Sequence, residues 1–154
     1  MMHKKTKRIP EPLARKHRAR KRLVQALYQI HYNDMTARVV IDQFLEEQDF
    51  NKVDTEFFKS ALRYIETNKD EIEAHIDPHL GREKSSLGAV EYAVLTMATY
   101  ELIKHIETPF KVIINEAILM ATEFGAEGGH IFVNGVLTKV AAATRKAEIA
   151  AQTK

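Results

Sequence analysis

The chain has 154 residues, of which 45% are hydrophobic, with a formal net charge of +2 and no cysteine. That length accommodates one domain with a sizeable core, and without a thiol there is no disulfide framework, thiolate nucleophile or thiolate zinc site. The opening MMHKKTKRIP leads into EPLARKHRARKR and not into an apolar run, so neither a signal peptide nor a membrane span is predicted, and the cytosol is the expected compartment.

The net charge conceals an uneven distribution. Residues 1–22 hold ten of the 23 Lys and Arg against a single acid, Glu11, so a basic arm of about +9 is joined to a body of about −7. Such an arm is equally compatible with a solvated tail and with nucleic-acid binding, and a second feature must decide between them.

Apolar residues recur at helical spacing along nearly the whole chain, and no segment alternates apolar and polar for the length of a strand, so the fold is predicted to be all-α. Pro10 and Pro12 mark the end of a flexible basic arm, residues 1–12. A first helix is expected from about Leu13 to Tyr32, with Ala19, Leu23, Ala26, Leu27 and Ile30 inward. A second runs to about Gln48 with Val40, Ile41, Phe44 and Leu45 inward. Asp54 caps a third, burying Phe57, Phe58, Ala61, Leu62 and Ile65, with Ile72 and Ile76 on a short extension that stops before Pro78. Residues 78–88 read as a connector between two sub-bundles.

The second half opens with a helix from about Leu87 to Ile106 that presents Leu87, Val90, Val94, Met97, Ala98 and Leu102 on one side. Thr108 as cap and Pro109 in first position are expected to start the next, which buries Val112, Ile113, Ala117, Met120, Ala121 and Phe124 and stops at Gly125. After the loop GAEGG a last helix turns Val133, Val136, Leu137, Val140 and Thr144 inward. The helical domain is therefore expected over 13–147, with residues 148–154 as a frayed tail.

Catalysis has little support. The seven His are scattered, and the nearest pair, His75 and His79, straddles Pro78 and cannot share a helix face as metal ligands do. No Ser or Lys lies in a nucleophile motif, and GAEGG lacks the strand and the Lys-Ser or Lys-Thr of a P-loop, so no enzyme activity, metal or cofactor is expected. The N–H groups after Gly129 could still attract an anion, or the loop could be a plain turn.

The first helix is more informative. Arg18, Lys21, Gln25 and Tyr28 are spaced i, i+3, i+7 and i+10, which places two cations, an amide and an aromatic ring on one stripe facing away from Leu23, Leu27 and Ile30. Single-stranded RNA needs this combination, with phosphates held by Arg and Lys and an unstacked base lying on a ring. The competing reading is a solvated stripe with one incidental Tyr. Phe132 falls about 100° off the Val133, Val136, Val140 stripe, near the edge of the core, where it either adds to such an RNA surface or is simply a core residue.

These motifs, ARKHRARKRLVQALY (14–28), FLEEQDF (44–50), VEYAVLTMATYEL (90–102) and PFKVIINEAILMATEFGAEGGHIFVNGVL (109–137), resemble the NusB family of transcription antitermination factors, in the family's order and over nearly the whole chain. The resemblance implies about seven helices in two packed sub-bundles. It also implies recognition of the single-stranded boxA element of nascent ribosomal RNA together with NusE, a small-subunit ribosomal protein, with other Nus factors and RNA polymerase met through the assembled complex. Carried over by matching motif, Lys16, His17, Arg18, Arg20, Gln25 and Tyr28 meet RNA from the arginine-rich helix, joined by Lys21 from the stripe. Gly128, His130 and Phe132 approach it from the second sub-bundle, and Glu91 contacts NusE. The chain departs from the family pattern at Thr96, where many members have a basic residue, and at Ile131, where they have a basic or small one, and His17 replaces the usual Arg, giving a contact that strengthens as the imidazole protonates. Truncating Arg18 or Arg20 is expected to weaken RNA binding with little effect on folding. NusB-like domains also precede the catalytic domain of some RNA cytosine methyltransferases, but this chain carries no strand and Gly-rich segment for a methyl donor.

Overall fold

The computed structural model describes residues 9–152, and among these it contains eight α-helices, two short 3-10 turns and no strand. Residues 1–8 of the expected basic arm lie outside the described residues. Its last two residues, Glu11 and Pro12, already belong to α1 (Glu11–Asn33). The Pro10 carbonyl accepts the N–H groups of Leu13 and Ala14 at 3.0 Å, and Pro12 occupies the first turn, where a missing N–H costs nothing. Asp34 ends the helix in the left-handed region at φ 50°, its N–H returning to the Ile30 carbonyl.

Two short helices fold back on α1. Thr36 caps α2 (Ala37–Glu47) through the Val39 N–H, and Asp54 caps α3 (Thr55–Thr67) through the Phe57 N–H at 3.0 Å. All five expected core residues of α3 are buried, and Phe58 packs between Phe44 and Phe50 with ring centroids 5.7 and 5.1 Å away. Asn68 leaves the helical region at φ −117°, so the expected extension is a separate helix, α4 (Lys69–Ile76), that buries Ile72 and Ile76.

The second half is organised around α5 (Ala89–Lys104). It packs against α1 and α3 on one side and against α4, α6 (Phe110–Phe124) and α7 (Gly129–Thr144) on the other. Ten of its sixteen residues are buried, so the one-sided stripe expected for it is too narrow. A helix flanked by both sub-bundles must be apolar on nearly every side, and Ala93, Leu95 and Tyr100 supply the additional faces.

Two expectations at the C-terminal end are corrected. Thr108 does not cap α6, which starts after Pro109 without a side-chain cap, and Val112 is 41% exposed while Ile114 is buried in its stead. The expected frayed tail is a further helix as far as it is described, α8 (Lys146–Gln152), whose Ile149 packs against the core. The reason lies between the helices. Arg145, 3% exposed, donates to the carbonyls of Leu102 (2.8 Å), His105 (2.9 Å) and Thr108 (2.9 Å), satisfying the open end of α5 and the turn after it. Glu148 pairs with Arg145 and accepts the Phe110 N–H at 2.9 Å, doing for the start of α6 what Thr108 was expected to do. Burial works against the Glu148 carboxylate, but the Phe110 N–H and Arg145 outweigh it and hold its pKa below the usual glutamate value. Among the described residues no helix is long and apolar enough to cross a membrane.

Candidate nucleic-acid interface

The exposed face of α1 carries the predicted stripe. Gln25 and Tyr28 are exposed, the latter by 41%, and Arg18 and Lys21 are half-buried beside them. Tyr28 packs at a tilt against Tyr32 one turn later, with ring centroids 4.8 Å apart, and Tyr32 is itself 63% exposed. Tyr32 was not singled out from the sequence, although its i+4 spacing from Tyr28 places both rings on one face.

Much of the positive charge is already engaged. Arg15 and Arg18 donate to the α2–α3 loop, Arg15 to the carbonyls of Asn51 and Val53 and Arg18 to that of Lys52 and to Glu11. Lys21 pairs with Glu123 at 3.1 Å, and the His17 Nδ1 lies 2.6 Å from Glu116. These last two contacts advance together along both helices, so α1 runs beside α6 in the same direction. Its tyrosine end therefore points toward the end of the molecule where α6 stops and α7 begins.

Two of the residues assigned to RNA face elsewhere. Arg20 is 3% exposed and makes a bidentate pair with Glu101, itself fully buried, through Nε and Nη2 at 2.8 Å each, while Glu116 stands 3.5 Å from its Nη1. Burial opposes the charge of Arg20, but Glu101 and Glu116 outweigh it and hold its pKa above the ordinary arginine value. Arg20 is thus a core residue, placed there because it falls on the same side of α1 as Leu23 and turns toward α5. Lys16 shares that flank, with its Nζ 5.1 Å from the Phe57 ring centroid on α3, apart from the Arg18 stripe.

The second group lies around the start of α7. Gly128 takes φ +80°, a left-handed conformation that a side chain would strain, and closes the turn into Gly129. His130 and Phe132 are half-buried at the rim, while Ile131, at one departure from the family pattern, is 69% exposed. Thr96, at the other, bonds back to the Tyr92 carbonyl at 2.9 Å. The Arg82 guanidinium, from the connector before α5, lies over the Phe132 ring with Cζ 4.2 Å from its centroid.

Glu91, expected to face a partner protein, is only 5% exposed and lies beneath this turn. Its Oε1 accepts the Ala126 N–H at 3.3 Å, and Oε2 has no hydrogen-bond donor among the described residues. Three glycines enclose it. A Cβ at Gly88, Gly125 or Gly129 would come within 2.7, 3.0 and 3.0 Å of its side chain. With a carboxylate already beside the positive end of the α7 dipole, that helix start is a poorer phosphate cradle than the loop sequence suggests.

Among the described residues no group of three or more His, Asp or Glu is arranged to hold a metal ion. Two surface hollows, of about 290 and 440 Å³, lie at the α8 base and beside Pro12 and Arg15, and none of the residues assigned to RNA or to NusE lines either. Apart from the buried Arg20 and Glu91, the site residues lie on open surface, suited to a polymer more than to an enclosed small molecule.

The model of the NusB family matches residues 17–142. The chain is 49% identical over 138 residues to the transcription antitermination protein NusB of Yersinia pestis (strain Pestoides F), covering 88% of this chain and 98% of that one. It is 41% identical over 138 residues to the protein of the same name from Pseudomonas savastanoi pv. phaseolicola, covering 90% and 84% respectively. A solved structure of T. maritima NusB superposes with a TM-score of 0.73 at 29% identity, over 88% of this chain and 92% of that one.

Proposed function

The chain belongs to the NusB family, and from that premise we propose that it is a transcription antitermination factor that binds the single-stranded boxA element of nascent ribosomal RNA together with NusE. The observation that carries the RNA reading is the exposed Tyr28 ring in line with Arg18, Lys21 and Gln25. The ring is open to a base, and the cations and amide beside it suit phosphates and base edges. His17 lies on this face with its Nδ1 2.6 Å from Glu116. Lys16, set over the Phe57 ring on the other flank of α1, adds positive charge near this face without belonging to its stripe. On the α7 side, Gly128, His130 and Phe132 meet the same strand where α1 and α6 point.

Arg20 contributes by holding α1 against α5 so that its outer face is rigid. Glu91 acts on NusE through the turn it fixes, residues 125–129, and not by direct contact. The assembled complex then reaches other Nus factors and RNA polymerase in the cytosol. The test is titration of the full chain with boxA RNA and with a scrambled strand, with and without NusE. Tighter binding of boxA, strengthened by NusE, is the expected result. Equal affinity for both strands in each condition refutes boxA recognition, and no binding of either strand leaves a helical interaction scaffold.

A further inference from the structure

Arg82 lies in the connector between the sub-bundles, directly after Gly81, which takes φ +67°. No carboxylate among the described residues lies within ion-pair distance of it. Two positions on, Lys84 pairs with Glu73 at 3.5 Å and Asp77 at 3.3 Å, whereas the adjacent Glu83 is exposed and in no ion pair among the described residues. The contact recorded for Arg82 is the Phe132 ring, 4.2 Å from Cζ, closer than any of the other cation-ring contacts among the described residues.

A guanidinium held over a ring uses its flat face, while its five N–H bonds point outward in its own plane. The stacking therefore leaves the hydrogen-bonding edge free. It also restrains a long side chain in advance, which lowers the entropy lost when an anion is bound. A ring-held, unpaired, exposed guanidinium is built to take the fork of a phosphate.

We infer that Arg82 is an RNA-contacting residue that binds one backbone phosphate, with Phe132 as the platform that orients it. This rests on the RNA reading above and extends the surface from α7 onto the connector. The covered face of Phe132 is then not a stacking site for a base, and the ring contributes to binding through Arg82. Residues 50 positions apart in sequence make this contact, and it depends on the connector packing across the start of α7.

The probe is a single-stranded boxA oligoribonucleotide, titrated against the full chain over a range of salt, with Arg82→Ala, Arg82→Lys, Phe132→Leu and Arg18→Ala. Arg82→Ala should weaken binding about tenfold, as loss of one charge-assisted contact does, and lower the salt slope by about 0.7, the value of one phosphate on a single strand. Arg82→Lys should keep the slope. Phe132→Leu should weaken binding in the wild type but add nothing to Arg82→Ala. If Arg82→Ala leaves affinity and slope unchanged while Arg18→Ala lowers both, the proposal is overturned and the RNA face on α1 stands. Tighter binding by Arg82→Ala also overturns it, because Arg82 would then be shielding the ring. If no variant, including Arg18→Ala, changes binding, the RNA reading itself fails and this proposal falls with it.

Discussion

Replacing Arg20 by Ala separates the two roles that one basic residue on α1 can have. In the structure its guanidinium gives two hydrogen bonds of 2.8 Å to Glu101, and the two side chains are 4% and 1% exposed. Truncation leaves the Glu101 carboxylate inside the protein without these donors, and breaking a buried pair from one side costs about 3–5 kcal/mol. For a domain of this size each kcal/mol lowers the melting temperature by roughly 2–4 °C, so a fall of about 6–20 °C is expected. Arg18→Ala, which removes a half-exposed side chain, should stay within about 0.5 kcal/mol of the wild type. Thermal melts followed by helical circular dichroism measure both. The double variant Arg20→Met/Glu101→Leu supplies the control, because two apolar side chains need no partner and should recover much of the loss. If Arg20→Ala melted within about 2 °C of the wild type, less than one kcal/mol can explain, while RNA binding and its salt slope both fell, Arg20 would be a surface contact in solution and the buried assignment would be wrong.

Tyr28→Ala should weaken boxA binding by about 1–3 kcal/mol, the usual worth of a base stacked on an aromatic ring, with a small effect on melting because the ring is 41% exposed; a large drop in melting temperature with unchanged affinity per folded molecule would return Tyr28 to the core. Gly129→Ala should destabilise the chain, since the new Cβ would lie 3.0 Å from the Glu91 Cγ beneath it, and Glu91→Lys should fail to fold stably because a second charge type would be buried there without an acid; urea melts equal to wild type for both would remove the glycine cradle. Burial, followed by nearby Glu101, pushes the Tyr100 hydroxyl up to about 12, and burial likewise pushes Tyr92 to about 12. A group whose folded pKa is raised contributes stability in full below its unfolded value near 10 and loses it as pH rises toward 12. Stability should therefore decline over that interval, and Tyr100→Phe should flatten the decline in urea melts taken across it.

The all-α class, the helices and most inward positions follow from local rules that the sequence displays. Phe57, Phe58, Ala61, Leu62 and Ile65 repeat at helical spacing and all are buried, and Asp54 caps α3 where a capping residue was expected. The Arg18, Lys21, Gln25, Tyr28 stripe was legible for the same reason, since helix geometry alone assigns residues to a face. What periodicity cannot reveal is which neighbour a face meets. Arg20 and Arg18 belong to one basic run, yet one is closed in by Glu101, 81 positions away, and the other reaches the surface. The acid of Glu91 reads as a solvated helix position until Gly88 and the two glycines of the 125–129 turn close over it. Thr108 has the chemistry of a cap, but Arg145 and Glu148 satisfy those backbone groups from across the bundle. A buried charge needs its partner within hydrogen-bond reach, and that partner can come from any element packed alongside. Helix and face are properties of neighbours in sequence, whereas burial of Arg20, enclosure of Glu91 and the seating of Arg82 on Phe132 are decided only when α1, α5, α7 and the connector meet.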